Sequence, residues 1–251
     1  MTNIEVKILN PEVIAESEKM MVCAARLTQR GHQIQNMADF MELYEKSYTP
    51  KTAKDMAALP HPTIQKFGVI NVAVVGASRR FLAQITRHQN EVKFMSASLQ
   101  YSNYSDAADF VVPYEIMEKG EVVEGMFLGQ CQEAMQQYKW FKENGIDHDA
   151  AGYVAPQALR NILIISATPY QWKHMIGQRI CRRNTAETRY VMLRVWELLQ
   201  ATGSRMFAST TTGAFCSRDK CQEGSFCCGD AILPSLTPDM IIEQDFPLMA
   251  R

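Results

Sequence analysis

The sequence predicts an α+β protein, because strand-like and helix-like patterns both occur along it. Residues 64–75 are rich in β-branched side chains, which is typical of a central strand. Between residues 127 and 141, apolar side chains recur at steps of four, three, four and three, as on one face of an amphipathic helix. No internal repeat or linker divides the chain. We therefore expect one domain over residues 1–251, with a cysteine-rich tail over about 203–251.

Local signals indicate where the elements begin and end. Pro11 is well placed to open the first helix, and Pro50 to stop the second. The Gly-Ala-Ser stretch at 76–78 supplies a turn and a helix N-cap, and Gly145 closes the helix over 127–141. The expected strands are 4–9, 64–75 and 162–166. The expected helices are 11–30, 35–48, 79–88, 127–141, 170–181 and 186–199. Irregular connections are expected at 59–63, at 93–105 and from 203 onward.

Charge and hydropathy exclude several classes of function. The 251 residues carry 26 lysines and arginines against 27 aspartates and glutamates, a formal net charge of −1. This balance gives no reason to expect nucleic acid or a membrane surface as a partner, so any anion site must be a local basic cluster. The first 18 residues do not resemble a signal peptide, and no apolar run approaches the roughly 18 to 20 residues that span a bilayer. We therefore expect a cytoplasmic protein.

The expected helix over 79–88 carries three polar residues that are suited to a binding site. Spacings of three and four place Gln84, Arg87 and His88 on one face, while Phe81 and Ile85 lie on the opposite side. Such a polar face is able to hold a phosphate and the edge of a flavin or a base. A solvated helix face is the alternative interpretation of the same periodicity.

Two motifs follow each other in this region. Residues 87–89 read Arg-His-Gln, and residues 98–101 read Ser-Leu-Gln-Tyr. Together they resemble the signature of the flavin-dependent thymidylate synthases, in which Arg-His-Arg is followed after a short gap by Ser-x-Arg-Tyr. His61 and Thr63 match an upstream His-x-Ser/Thr pair of that family. Further similar blocks follow in the family's order at 153–156, 186–189 and 216–229.

The resemblance implies an enzyme that uses FAD for the reductive methylation of dUMP to dTMP. Methylenetetrahydrofolate would supply the carbon and NADPH would reduce the flavin, so both are expected as co-substrates. The resemblance also implies a mixed or antiparallel sheet flanked by helices. A homotetramer, with sites assembled between subunits, is expected as well.

The resemblance also implies roles for individual residues at the matching positions. Arg87 and Ser98 are expected to be catalytic: the guanidinium stabilises negative charge, and the serine lies near the reacting pyrimidine edge. The residues expected to bind FAD are His61, Thr63, Arg87, His88, Gln89 and His174. The residues expected to bind the nucleotide are Gln84, Arg87, Ser98, Leu99, Gln100 and Arg179. No metal ligands are expected.

The sequence departs from the family pattern at four positions where arginine is expected. These positions are Gln89, Gln100, Gly152 and Tyr170. Each lost charge-assisted hydrogen bond to a phosphate is worth roughly 1.5 to 3 kcal/mol. Either other arginines compensate or the substrate has changed. The arginines considered for compensation are Arg160, Arg182, Arg183 and Arg189.

Two alternatives to thymidylate synthesis remain open from the sequence. One is a related flavoenzyme that acts on a different pyrimidine nucleotide, for example by hydroxymethylation. The other is a non-catalytic nucleotide-binding relative, or an interaction protein stabilised by zinc in its tail. The spacing of Cys216, Cys221, Cys227 and Cys228 does not match paired Cys-x-x-Cys knuckles, and no histidine lies nearby. We therefore expect a redox-labile or structural tail rather than a zinc site.

Overall fold

The computed structural model describes residues 1, 3–107, 109–217, 221 and 223–249. The strands are β1 (Glu5–Ile8), β2 (Ile70–Ser78), β3 (Val92–Ser96) and β4 (Arg160–Ala167). The first five helices are α1 (Glu12–Arg30), α2 (Met37–Lys46), α3 (Pro50–Ala58), α4 (Arg79–Ile85) and α5 (Tyr114–Met117). They are followed by α6 (Glu121–Glu143), α7 (His148–Ala151), α8 (Pro169–Arg179), α9 (Ala186–Ala201) and α10 (Pro238–Asp245).

The four strands form one sheet in the order β1-β2-β4-β3, and every neighbouring pair is antiparallel. Helices flank this sheet, so the expected α+β class with an antiparallel sheet is confirmed. In the part of the chain that the structure describes, no helix combines the length and the apolar character needed to cross a membrane.

The main core lies between one face of the sheet and the helices α8 and α9. Val72 of β2 opposes Ile165 of β4, Val74 opposes Leu163, and all four side chains are buried. Trp172 of α8 is buried in the same cluster and donates its indole N–H to a backbone carbonyl at the start of β2. The alternation of buried and outward side chains along β2 and β4 is what a sheet with one covered face requires.

A second, smaller core forms beneath α6. Tyr138 and Cys131 of that helix are buried against Leu99, Phe110 and other apolar residues of the loop and the α7 region. The loop after β3 is therefore anchored by α6.

The expected strand at 64–75 and loop at 93–105 were both partly wrong. Residues Pro62–Gln65 form a 3-10 turn, and Gly68 has a φ of +80°, so the strand begins only at Ile70. Residues 92–96 form β3 because they pair along their whole length with β4. Strand pairing of this kind is a long-range interaction that the local composition does not reveal.

The expected turn at 76–78 is instead the last part of β2. Gly76 has a φ of +83° and lies at a register shift between Val75 and Ala77, which is a β-bulge. The expected N-cap is confirmed, because the Ser78 hydroxyl accepts a hydrogen bond from the backbone N–H of Phe81 at 3.1 Å.

Some of the helices also differ from the expected ones. Helix α4 ends at Ile85, so Arg87 and His88 lie beyond its last turn and the expected helix 79–88 was too long. Pro50 opens α3, which the sequence analysis did not predict, and Thr49 caps it. Helix α10, in the tail that was expected to be loop-rich, was also missed.

Candidate active site

The C-terminal ends of α4 and α8 bring together four of the expected site residues. We call Gln84, Arg87, His88 and Arg179 the histidine–arginine cluster. Gln84 accepts hydrogen bonds through Oε1 from the hydroxyls of Thr185 at 3.0 Å and Thr188 at 2.6 Å. These two donors fix the amide carbonyl, so the amide nitrogen is the end of Gln84 that remains to donate.

His88 is held neutral within this cluster. Its side chain is buried, and its Nε2 accepts a hydrogen bond from Nε of Arg179 at 2.8 Å. Burial, the charge of Arg179 and the neighbouring His174 together lower the pKa of His88 to about 4, and burial is the largest of these causes. Because Nε2 is an acceptor, the ring proton lies on Nδ1.

Arg87 and Arg179 place two positive charges beside this neutral imidazole. Burial lowers the pKa of Arg179, and the charge of Arg87 adds to this effect, so the two guanidinium groups feel each other. Nη1 of Arg179 also donates to Asn184 at 3.4 Å. Among the described residues, Arg87 has neither a carboxylate partner nor a side-chain hydrogen bond. Two neighbouring guanidinium groups without a carboxylate partner make this place favourable for an anion.

A cavity of about 460 Å³ lies next to the histidine–arginine cluster. We call it the His61 pocket, because His61 lines it from the segment before β2. His174 lines the same pocket from α8, and its ring meets that of His88 edge-on at 5.9 Å. The pKa of His174 is lowered by burial of part of its surface and by the charge of Arg179. His174 therefore connects the pocket with the histidine–arginine cluster.

Most residues that line the His61 pocket were not among the expected binding residues, and three of these have side chains suited to binding. Phe215 packs against His174 with a ring separation of 5.4 Å. Lys173 is buried, and its Nζ donates to the backbone carbonyl of Ala57 at 2.9 Å and to Oε1 of Gln65 at 2.7 Å. Tyr170, which the sequence analysis recorded only as a replaced arginine, also lines the pocket. Nothing in the local sequence marks Lys173 or Phe215, since each reaches the pocket through tertiary packing.

The remaining expected FAD-binding residues lie outside this arrangement. Thr63 is exposed in the 3-10 turn that follows His61, and Gln89 is exposed directly after His88. Neither side chain lines the His61 pocket.

The residues of the second motif that were expected to bind the nucleotide lie apart from the histidine–arginine cluster of the same chain. The hydroxyl of Ser98 accepts a hydrogen bond from the backbone N–H of Gln100 at 3.1 Å, which forms a turn after β3. Leu99 is buried in the smaller core, and Gln100 is exposed. No hydrogen bond between described residues of this chain joins Ser98 to the histidine–arginine cluster.

Three of the arginines considered for compensation are already engaged. Arg182 pairs with Asp245 at 3.1 Å and with Asp230, and Arg189 pairs with the same Asp245. Arg160 donates to the backbone carbonyl of Gly76 at 3.1 Å. Arg183 is exposed. Two of the four therefore hold α10 and the tail against α8 and α9. Among the described residues, no group of histidine, cysteine, aspartate or glutamate is arranged to hold a metal ion.

A family model described as "Thymidylate synthase complementing protein" matches residues 12–202. The chain belongs to this family. The match spans strands β2, β3 and β4 and both helix ends that form the histidine–arginine cluster. The resemblance stated from the motifs is thereby confirmed.

Several relatives carry the name flavin-dependent thymidylate synthase. The protein of Thermococcus onnurineus (strain NA1) is 28% identical over 142 residues, which is 55% of this chain and 56% of the relative. That of Pyrococcus abyssi (strain GE5 / Orsay) is 26% identical, over 58% of this chain and 59% of the relative. That of Geobacter sulfurreducens is 24% identical, over 86% of this chain and 90% of the relative. The chain thus spans little more than half the length of the two archaeal relatives.

Two solved structures share the fold. Thymidylate synthase X from Helicobacter pylori, with FAD and dUMP, superimposes with a TM-score of 0.60 and 13% identity, over 83% of this chain and 99% of that one. The UMP/dUMP methylase PolB from Streptomyces cacaoi, bound with 5-Br dUMP, superimposes with a TM-score of 0.61 and 14% identity, over 81% of this chain and 97% of that one. At such low identity the likeness shows the fold alone.

Proposed function

We propose that this protein catalyses the FAD-dependent reductive methylation of dUMP to dTMP, with methylenetetrahydrofolate as carbon donor and NADPH as reductant. The observation that carries the proposal is the histidine–arginine cluster. Arg87 and Arg179 place two positive charges beside a neutral, buried His88, in a chain whose net charge is only −1. An anionic nucleotide is the ligand that such a cluster favours.

The His61 pocket fits a flavin by the chemistry of its walls. Four flat rings suited to a planar heterocycle line the pocket: those of His61, Tyr170, His174 and Phe215. Lys173, which carries an ammonium group, lines the same pocket. The bound flavin, once reduced by NADPH, would supply the hydride that the methylation needs.

Each residue of the histidine–arginine cluster has a task in this proposal. Arg87 and Arg179 bind the nucleotide's negative charge, and Arg87 stabilises charge that develops during the reaction. Gln84 offers its amide N–H group to a pyrimidine carbonyl, since its Oε1 already accepts two hydrogen bonds. His88 keeps Arg179 in place and presents Nδ1–H as a fixed donor.

We propose further that Ser98, Leu99 and Gln100 reach this site from a neighbouring subunit of a homotetramer. The proposal is supported by the position of this segment apart from the cluster of its own chain: Leu99 is anchored in the smaller core, and Ser98 and Gln100 form the turn beside it. An uncovered surface that could form a subunit interface is also present. On the outer face of the sheet, Val75 opposes Ile162 and Met95 opposes Ile164, and these four side chains are 41 to 72% exposed.

The proposal is tested by adding FAD to the purified protein, removing the excess and recording the visible spectrum during a dUMP titration. We expect a retained flavin spectrum that shifts on addition of dUMP. Arg87→Ala should weaken dUMP binding by roughly ten- to a hundredfold, because a charge-assisted hydrogen bond is lost.

The matched control for that experiment is Arg30→Ala, which removes an exposed arginine at the end of α1. It should bind dUMP like the wild type. If the protein retains no flavin and binds no pyrimidine nucleotide, the proposed function is wrong.

A second candidate function keeps the flavin and changes the pyrimidine nucleotide or the product, for example to hydroxymethylation. It is favoured by the replacement of family arginines at Gln89, Gln100, Gly152 and Tyr170. At Gly152, the side chain of Leu99 lies 3.3 Å from where a Cβ would stand, so this chain has packed the space with an apolar group. Mass analysis of the product decides between the candidates, and dTMP as the sole product would end this one.

A further inference from the structure

Five of the seven cysteines come together at one place outside the candidate active site. They line a cavity of about 110 Å³ between the end of α8 and the tail, which we call the thiol cavity. The cysteines of the thiol cavity are Cys181, Cys216, Cys221, Cys227 and Cys228. All of them are free thiols in this structure. The proposed function uses none of them.

Within the thiol cavity, the side chains of Cys221 and Cys227 interact with each other. The thiol of Cys221 donates a hydrogen bond to the sulfur of Cys227. The backbone N–H of Gly229 donates to the same sulfur at 3.4 Å. The thiol of Cys228 instead donates to the backbone carbonyl of Asp230 at 3.4 Å. The sulfur of Cys227 therefore accepts two hydrogen bonds, one of them from the thiol of Cys221.

These contacts divide the roles of the two thiols. The pKa of Cys227 is lowered by the hydrogen bond from Gly229 and by that from Cys221. At Cys221 a backbone hydrogen bond from Glu223 favours the thiolate. The pKa of Cys221 is nevertheless raised. The causes that outweigh the bond from Glu223 are the hydrogen bond to Cys227, burial and the nearby charge of the Cys227 sulfur. The thiolate is the nucleophile in thiol chemistry, so the lowered pKa of Cys227 favours this exposed thiol for the attack and leaves Cys221 for the second step.

Part of the chain between the two cysteines forms a turn. Residues 224–226 form a 3-10 turn, and the backbone N–H of Cys227 donates to the carbonyl of Gly224 at 3.2 Å. Gly224 has a φ of +55°, which a glycine adopts without strain. Cys227 is also exposed, so a small oxidant can reach it.

The pairwise contact points to a disulfide rather than to a metal ion. A structural zinc site needs four ligands at about 2.0 to 2.3 Å from one centre. Among the described residues, no group of three or more cysteine, histidine, aspartate or glutamate side chains is arranged in this way.

We propose that Cys221 and Cys227 form a reversible disulfide by exchange with a low-molecular-weight disulfide such as glutathione disulfide. The Cys227 thiolate attacks one sulfur of glutathione disulfide, the S–S bond of that molecule breaks, and one glutathione thiolate leaves. The Cys221 thiol then loses its proton and attacks the Cys227 sulfur of the mixed disulfide, and the second glutathione leaves. The two cysteines are oxidised by two electrons, and one glutathione disulfide is reduced to two glutathione molecules.

The experiment uses the full chain, freed of reductant and incubated with a large excess of glutathione disulfide, followed by alkylation of the remaining thiols. Cleavage after Lys220 and after Glu223 separates Cys221 from Cys227 in the sequence. We expect the wild type to lose two of its seven thiols. Peptide 221–223 should then be disulfide-linked to the peptide that begins at Gly224, and a thiol reductant should release it.

Two single variants identify the partner thiol. Cys228→Ser is the matched control and should form the same link, because its thiol faces Asp230. Cys227→Ser should lose the link, while keeping the wild-type unfolding midpoint, since Cys227 is exposed.

Three results would overturn the proposal. The first is a wild-type protein whose seven thiols all remain open to alkylation. The second is a link from peptide 221–223 that persists in Cys227→Ser, which would make Cys228 the partner. The third is stoichiometric zinc in the freshly purified protein that protects these thiols from alkylation.

Discussion

At the scale of single residues, the contact between His88 and Arg179 sets the electrostatics of the candidate site. A charged imidazole at this position would face a guanidinium at 2.8 Å and lose its hydration at the same time. Both effects favour the neutral ring, and burial is the larger of the two. The resemblance to the family implied a binding role for both residues, but only their packing shows that one holds the other.

The lowered pKa of His88 predicts how stability depends on pH. The unfolded chain takes up a proton on this residue below about pH 6.5, whereas the folded protein does so only below about pH 4. The unfolded state thus binds more protons in this window, and the free energy of unfolding falls as the pH is lowered from 6.5 towards 4. The full contribution is about 3 kcal/mol.

The replacement His88→Gln should remove much of this dependence, because a glutamine side chain still accepts from Arg179 but does not titrate. Urea unfolding at pH 7 and pH 4.5 should show a smaller loss of stability than in the wild type, by about 1 to 3 kcal/mol. His32→Gln, at an exposed histidine after α1, should behave like the wild type. An unchanged pH dependence in His88→Gln would mean that His88 is not buried and neutral.

At the scale of elements, helix α8 carries the site, and its fit depends on one glycine. Gly177 lets the ring of Phe215 approach the helix closely: an added Cβ would stand 2.7 Å from Cδ1 of that ring and 3.2 Å from the carbonyl oxygen of Gly213. Phe215 in turn packs against His174, on the wall of the His61 pocket. The sequence pattern predicted the helix. It did not predict that position 177 must be glycine, because this requirement comes from the ring of Phe215, which packs there in the folded chain.

The same substitution should therefore have opposite effects in two helices. Gly177→Ala should lower the free energy of unfolding by about 1 to 3 kcal/mol, because the ring of Phe215 must move. It should also weaken flavin retention, since His174 loses its support. Gly125→Ala on α6 has nothing within 4 Å of the new Cβ and should raise stability by about 0.5 to 1 kcal/mol. Thermal or urea unfolding of both variants measures the difference, and equal effects would contradict this account of α8.

Elements were predicted well where their signal is local and poorly where it is not. The amphipathic seam of α6 and the N-cap at Ser78 are written in neighbouring residues, and both are present. Strand β3 was expected to lie in a loop, because the serine-rich composition of residues 93–105 hides its pairing with β4, about 70 residues later in the chain. The last turn expected for α4 does not form, and His88 turns inward to reach Arg179 on another helix.

At the scale of the whole molecule, the sheet has one covered face and one that is partly apolar and open. Val75, Ile162, Ile164 and Met95 share the open face across three neighbouring strands. Exposed apolar patches of this kind mark interaction surfaces more often than isolated apolar side chains do. This surface supports the proposal that copies of the chain assemble and complete each other's sites.

The replacement Ile162→Lys should disrupt such an assembly, because a charge would be buried in the contact. Sedimentation analysis should show the wild type as a multiple of 28.5 kDa and the variant shifted towards the single chain. Val122→Lys on α6, which is 79% exposed, is the control and should leave the assembly unchanged. A wild type that sediments as a single chain, or a variant with the wild-type mass, would contradict the proposed interface.

The sequence by itself determined the class of fold, the family and the identity of the residues at the histidine–arginine cluster. These follow from short-range patterns, because helical periodicity, caps and the Arg-His motif lie within a few neighbouring positions. Only the tertiary structure decided which residues meet: His88 with Arg179, His61 with His174 across one pocket, and Cys221 with Cys227 beside the end of α8. It also showed that Arg182 and Arg189 are held by Asp245. These contacts join segments that are distant along the chain and are selected by packing and burial, which no local pattern encodes.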